Sequence, residues 1–277
     1  DELLNRARDE LAGVHVVPND QVRGLGGARN TGIAASQGAV IAFVDDDAIP
    51  EPSWLQRLLA GYGDPRVAGV GGSIEPRWEP ERPTWFPPEF DWVVGCSYVG
   101  LPTRPTFVRN LIGCNMSYRR ELFDRVGRFE LGYGCDETEF CIRVGQLLPE
   151  ARFLYQPSAR VHHLVPAPRL RLRRFLSRCY FEGGSKAVVA RLVGHGDGLA
   201  SERSYTTRVL PRAVAGGVAE TLRTREIGGV AKAGVVVAGL ASTVAGFAVG
   251  SVRVKRAAAA RGWSRAELRR HARDAVG

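Results

Sequence analysis

Three consecutive carboxylates, Asp45, Asp46 and Asp47, close the apolar run Val40-Ile41-Ala42-Phe43-Val44 and precede Ala48-Ile49-Pro50. Like charges this close repel one another unless a cation or solvent lies between them. Hard oxygen donors suit Mg2+ or Mn2+, and such ions usually bridge to substrate phosphates. A solvated acidic turn is the plain alternative for so short a motif. A second acidic group, Asp136-Glu137-Thr138-Glu139, follows Gly134-Cys135 and opens a helical pattern. The helix dipole favours carboxylates in a first turn, and one of Asp136 and Glu137 could also serve as a general base in a cleft. Glu139 and Arg143 are spaced i,i+4 and read as a structural pair.

The elements that must position these groups are legible in part. The run before Asp45 is short, β-rich and uncharged, so it reads as a buried strand whose carboxyl end carries the aspartates. Open α/β sheets bind ligands at that edge. Leu3 to Leu11 has helical spacing, and His15-Val16-Val17 reads as a short strand. The glycine-rich loop Arg23 to Gly27 leads into a helix from Ala28 to Ala35, so a right-handed parallel crossover to the Asp-tipped strand is expected. Trp54 to Leu59 reads as a helix and Val67 to Gly72 as another buried strand. Residues 75–105 hold seven prolines and several tryptophans; such long aromatic loops are usually functional lids. A helix over Glu137–Leu147 and a last strand at Phe153-Leu154-Tyr155 follow, with His162 and His163 just beyond it.

From about residue 166 the sheet-like runs stop and the chain reads as helical and rich in Arg, Ala, Gly and Val. Ala233 to Val252 lacks a charge and is long enough to cross a bilayer core. An interfacial or buried helix pair fits the same composition, and both readings stay open. The net charge of +9 and pI near 9.7 favour anionic partners. Arginines cluster at 169, 171, 173, 174 and 178, and basic residues again from 253 to 270. No nucleic-acid recognition motif accompanies them and the sheet edge is acidic, which argues against nucleic acid. The five cysteines are odd in number and form no Cys-x-x-Cys, which argues against a disulfide framework or zinc site and for a reducing compartment. The chain starts Asp1-Glu2 and its only methionine is Met116, so a fragment is expected.

Taken in order, Ala28-Arg29-Asn30-Thr31-Gly32, Phe43-Val44-Asp45-Asp46-Asp47, Gly113-Cys114-Asn115-Met116-Ser117, Gly127-Arg128-Phe129, Asp136-Glu137-Thr138-Glu139 with Arg143, and a histidine after the last strand resemble the family 2 glycosyltransferases over residues 14–165. The resemblance implies an α/β A-type glycosyltransferase fold: a mostly parallel sheet flanked by helices, with its first strands missing here. Residues 1–165 would form this partial domain, and 166–277 a basic, helical, membrane-associated appendage. It implies a divalent cation, Mg2+ or Mn2+, on Asp45, Asp47 and His163, with His162 as the alternative to His163. Arg29, Asn30, Asp46 and Asn115 would touch the nucleotide-sugar donor. Glu137 would be the base, with Asp136 as fallback, because the acidic pair is reversed relative to the family's usual order. The implied reaction moves a sugar, with inversion, from a nucleotide-diphosphate sugar to a saccharide or lipid-linked acceptor in cell-surface polysaccharide or glycoconjugate synthesis, in the cytoplasm at the inner face of the membrane. A metal-dependent nucleotidyltransferase and a non-enzymatic basic module for membrane surfaces are the alternatives.

Overall fold

Two long strands that bend together carry the architecture. The computed structural model describes residues 6, 10, 13–130, 134–194, 196 and 200–262. Its strands are β1 (Val40–Val44), β2 (Ala48–Pro50), β3 (Val67–Glu79), β4 (Thr106–Val108), β5 (Asn115–Arg119) and β6 (Arg152–Pro166). They form one sheet in the order β1-β5-β3-β6-β2, with β4 also paired to β6. Only β3–β6 is parallel; the other pairings are antiparallel. The sheet is therefore mixed, and the mostly parallel arrangement expected from the sequence holds only in part. A parallel connection needs a crossover of a dozen or more residues, and the three aspartates between β1 and β2 are too few for one. His15-Val16-Val17 forms no strand, so the expected crossover into β1 is not made. Of the helix expected over Leu3 to Leu11 only Arg6 and Glu10 are described, both helical; the basic tail beyond residue 262 lies outside the described residues.

β3 and β6 change register midway. Gly72 faces Gln156, but Ile74 faces Val161, so residues 157–160 of β6 stand against Ser73 alone. Extra residues of this kind bend and twist a sheet. Before the bend the two strands lie beside β5 and β4; after it β6 pairs with β2. Asn115 fastens the bend. Its Nδ2 donates to Ser73 O at 2.9 Å and to Ala159 O at 2.8 Å, and its Oδ1 accepts from Trp54 Nε1 at 2.8 Å. Gly72 is required there, since a Cβ would sit 1.7 Å from Ala159 O.

Helices cover the sheet. They are α1 (Leu25–Ala35), α2 (Trp54–Ala60), α3 (Glu121–Val126), α4 (Asp136–Leu147), α5 (Leu172–Val193), α6 (Ala200–Ser204), α7 (Leu210–Thr224) and α8 (Gly228–Arg261), with a π-turn at Tyr205–Val209 between α6 and α7. One core surrounds Tyr118, Phe123, Phe129 and Phe140 between the sheet, α3 and α4. Another joins Ile74 and Val161 of the sheet to Phe86 and Phe90, to Phe175 of α5, and to Leu210 and Val236 of α7 and α8. The segment 75–105 is thus not a free lid. β3 extends through Glu79, and Phe86 and Phe90 are buried between sheet and helices.

The C-terminal helices meet through small residues. A Cβ on Gly183 would fall 2.0 Å from Thr243 O, and one on Gly246 1.9 Å from Tyr180 O, so α5 and α8 touch backbone to backbone. Gly217 and Gly229 bring α7 and α8 together in the same way. Arg109, just after β4, forms a two-pronged pair with Glu202 of α6 at 3.0 Å, and Lys186 of α5 reaches the same carboxylate at 2.9 Å. Burial works against the Glu202 charge, but these two cations outweigh it and hold its pKa down at about 2.

Replacing Asn115 by alanine removes three hydrogen bonds, one buried and two part-buried, and leaves their partners unsatisfied, so it should lower stability by about 3 kcal/mol. Urea unfolding of Asn115→Ala beside the parent chain measures this. An unchanged midpoint would show that the bend does not depend on the amide.

Candidate active site

The bend brings the ends of four elements together. Asp45 follows β1, one residue beyond the Val44–Asn115 pair, and so lies near Cys114. Asp47 precedes β2, whose Ala48 pairs with His163 of β6. β6 runs on through both histidines, where the sequence suggested a strand ending at Tyr155, and strand alternation separates the pair. His163 is buried with Nε2 at 3.1 Å from Asp47 Oδ1, while His162 is half-buried beside Glu51 and Glu75. His163, not His162, therefore faces the aspartates. One ligand atom each from Asp45, Cys114 and His163 lie within 4.8 Å of one another.

Cations border the carboxylates. Arg169, in the turn before α5, places NH2 at 2.8 Å from Asp47 Oδ2. Arg29 of α1, only 6% exposed, has NH2 at 3.4 Å from Asp45 and NH1 at 3.6 Å from Glu137. It is seated against Gly113, where a Cβ would lie 2.6 Å from its NH2. α1 itself starts where glycine is needed: a Cβ on Gly27 would meet Val22 O at 1.9 Å. An open cleft of about 670 Å³ runs along α1 and β1 to Asp45, Asp46 and Asp47. Val93, Val94, Gly95, His163, Arg169, Arg174 and Arg178 complete its walls.

Two residues expected at the donor are placed otherwise. Asn30 is buried and clamps Phe129, donating to its carbonyl at 2.9 Å and accepting from its amide at 3.1 Å. Asn115 is fully buried at the bend. Neither lines the cleft. Both side-chain amides are consumed by backbone groups, so they shape the site from behind. Arg29 and Asp46 do line it.

The second acidic group lies on the other side of Arg29 from Asp45. Asp136 is buried and its Oδ1 has no hydrogen-bond partner. Burial, reinforced by the neighbouring Glu137 charge, raises its pKa to about 7. Burial also raises Glu137, and Arg29 pulls it back. Glu139 and Arg143 form the expected pair at 2.9 Å, and Arg143 also donates to Val126 O and Arg128 O. That pair ties the first turn of α4 to the Gly127-Arg128-Phe129 turn. Burial lowers the His163 pKa, which keeps a nitrogen lone pair available. Burial and the nearby Asp45 and Asp47 push the Cys114 thiol up to about 12.

The sequence reading missed Cys114 and Arg169 as members of the site. Cys114 was visible only as part of Gly113-Cys114-Asn115, and Arg169 only as one residue of an arginine cluster. Their proximity to the aspartates arises from the bend, which no local pattern encodes.

Carboxylates, an imidazole and arginines thus meet at one cleft of a mixed α/β sheet, side chains of the kinds that suit a cation and a phosphate. Comparison narrows that chemistry. Residues 1–127 match the family model described as Glycosyl transferase family 2. It is 33% identical over 201 residues to the glucosyl-dolichyl phosphate glucuronosyltransferase of Haloferax volcanii, covering 68% of this chain and 64% of that protein. It is 30% identical over 195 residues to the pre-mycofactocin glycosyltransferase of Mycobacterium tuberculosis, covering 66% of this chain and 39% of that protein. The chain thus spans less than two thirds of the length of these curated relatives. A mannosyltransferase from Pyrobaculum calidifontis, solved with GDP-Man and Mn2+, aligns with a TM-score of 0.47 at 17% identity, over 83% of this chain and 69% of that one.

The Asp136 shift has a measurable sign. Its folded pKa of about 7 lies above the ordinary 3.8, so the folded state keeps a proton that the unfolded state has released. Its contribution to stability is full below about pH 4 and is lost as the pH rises through about 7. Asp136→Asn should therefore gain stability relative to the parent between about pH 4 and about pH 7. Urea unfolding of both chains across that range tests it; a constant difference would refute the shift.

Proposed function

We propose that the chain is the major part of an enzyme that transfers a sugar from a nucleoside-diphosphate sugar to a hydroxyl of a saccharide or lipid-linked acceptor, with inversion. One observation carries the reading: Asp45, Asp47 and His163 converge at a cleft that Arg169, Arg174 and Arg178 also line. Carboxylates and an imidazole suit a divalent cation, and arginines suit a diphosphate. The family match favours sugar transfer over nucleotidyl transfer or a purely binding role.

The donor set fits a resident cation. Two carboxylates and an imidazole held neutral by burial are the ligand types that Mn2+ and Mg2+ accept. Asp45, Asp47 and His163 would hold the ion, which would neutralise charge on the leaving diphosphate. Arg169 now spans Asp47 and the cleft, so its charge is already placed beside that diphosphate. Arg29 fixes the two acidic groups relative to each other. Glu137 would accept the acceptor hydroxyl proton, with Asp136 as the alternative; both have raised pKa values, as a base working near neutral pH requires.

The C-terminal helices are the membrane-facing part of this reading. α8 is long and apolar enough to cross a bilayer, with a mean hydropathy of 2.0 over its most apolar window, of which only 17% is buried. It lies along α5, which carries Arg174 and Arg178 at the cleft and Lys186 within its ion cluster. Spanning the bilayer in this arrangement would take those charges with it, at high cost. Lying on the surface suits the structure better: Val230, Val237, Val244 and Val252 are exposed along one side of α8, and Arg253, Lys255 and Arg256 stand exposed at its end. Attachment at the cytoplasmic face fits a soluble nucleotide-sugar donor and a lipid-linked acceptor.

A donor screen that reads release of the product nucleotide, on this chain and on a longer form carrying any upstream sequence, tests the activity. Turnover should vanish in excess chelator and fall by orders of magnitude in Asp47→Ala. Full activity under chelation would sink the metal assignment. Glu137→Gln should reduce turnover at least about a hundredfold while donor binding survives. Near-parental turnover in Glu137→Gln with a dead Asp136→Asn would reverse the two roles.

Attachment is read separately, by co-sedimentation with anionic vesicles. Val237→Glu combined with Val244→Glu should weaken it, and high salt should release much of the parent protein. Binding that resists both alkaline carbonate and salt would mean that α8 spans the membrane.

A further inference from the structure

We propose that Cys114 is itself a ligand of the cation site, giving with Asp45 and His163 a mixed oxygen, nitrogen and sulfur set that selects a thiophilic divalent ion over Mg2+. The inference deepens the functional reading above and rests on its assignment of a cation to this cleft. The three ligand atoms already lie within 4.8 Å of one another. In a tetrahedral site with metal–sulfur and metal–nitrogen bonds near 2.3 and 2.1 Å, ligand atoms stand roughly 3.5 Å apart. The group therefore needs to close by at most about 1.3 Å, within the reach of small side-chain rotations.

The scaffold around the group is rigid where it must be. Cys114 is 5% exposed and immediately precedes Asn115, whose amide is bound on three sides. His163 is anchored in β6, with Nδ1 at 3.9 Å from Cys96 Sγ and Nε2 toward Asp47. Asp45 is drawn toward Arg29. Cys114 would join Asp45, Asp47 and His163, and an ion that expands beyond four ligands would keep a position for a phosphate oxygen from the cleft beside them. Among the described residues the other four thiols have different neighbours: Cys135 is beside Glu182, Cys141 beside Tyr118, Cys179 beside Thr243, and Cys96 meets the opposite nitrogen of His163.

Binding would replace the thiol proton by the cation. The S–H bond breaks, the proton passes to solvent, the sulfur lone pair binds the metal, and no electron changes hands. Metals deprotonate coordinating thiols in this way. Sulfur is a soft donor that Mg2+ does not favour, whereas Cd2+ and Zn2+ accept it.

The probe is Cd2+ without any nucleotide sugar, read by the ultraviolet charge-transfer band of a cadmium–thiolate bond and by direct titration. The parent chain should develop the band to one equivalent. Cys114→Ser, nearly isosteric, should lose it and bind Cd2+ at least about tenfold more weakly, with Mg2+ affinity little changed. Asp45→Asn should weaken Cd2+ binding, and Cys96→Ser should keep the band. A band absent in the parent, retained in Cys114→Ser or abolished in Cys96→Ser would overturn the proposal. If the Cys114-dependent band forms but no donor is turned over, the ligand assignment stands and the sugar-transfer reading falls. If Mg2+ supports equal turnover in parent and Cys114→Ser and no band forms, the reverse holds.

Discussion

The bend where residues 157–160 of β6 stand against Ser73 is the constraint on which the site depends. A flat sheet in the order β1-β5-β3-β6-β2 would keep β1 and β2 on opposite sides. Three residues could not then join them. Because β3 and β6 turn together, the second half of β6 carries β2 back over the end of β1. Asp45, Asp46 and Asp47 span the gap, and His163 arrives beside them. Excess residues in a strand leave backbone groups without ladder partners, and a buried carbonyl without a donor is costly. Asn115 supplies donors to two of them, Ser73 O and Ala159 O. One amide thus stabilises the distortion that assembles the cleft.

Charge balance follows from the same geometry. Gathering three aspartates is unfavourable unless cations accompany them. Arg29 meets Asp45 and Arg169 meets Asp47. Arg29 does more, because it also touches Glu137 and so separates the aspartates from the acidic turn of α4. Among the described residues Asp136 has no cation within ion-pair distance, and burial together with the Glu137 charge raises its pKa. Two acidic groups with different environments result: one suited to a cation, one suited to holding or accepting a proton.

The sequence showed the local features well. The strand ending in aspartates, the helix opening at Asp136, the Glu139–Arg143 pair and the order of the motifs needed only short-range pattern. It misjudged what depends on distant contacts. His15-Val16-Val17 has β-rich composition but no partner strand. The proline- and tryptophan-rich segment looked like a lid because its contacts, Phe86 and Phe90 on Phe175, come from a helix some ninety residues on. Asn30 and Asn115 looked like ligand contacts because asparagine serves both roles; only the backbone groups at Phe129, Ser73 and Ala159 decide between them. Cys114 went unnoticed because a lone cysteine carries no spacing signal.

The helical C-terminal part is bound into the cleft more closely than a change in composition suggests. The turn before α5 brings Arg169 to Asp47, and α5 adds Arg174 and Arg178 to the wall. α5 is in turn held by backbone contact with α8 through Gly183 and Gly246, which allows no bulkier residue without separating the helices. Lys186 and Arg109 fix it to Glu202 from the other side. A force that tilted α8, such as burial of its exposed valines in a lipid interface, would be passed to α5 with little slack, because backbones in contact cannot slide as flexible side chains can. The arginines of the cleft would move with it. The exposed valines of α8 and the arginines of the cleft wall are therefore two faces of one helix pair, and the placement of the first constrains the second.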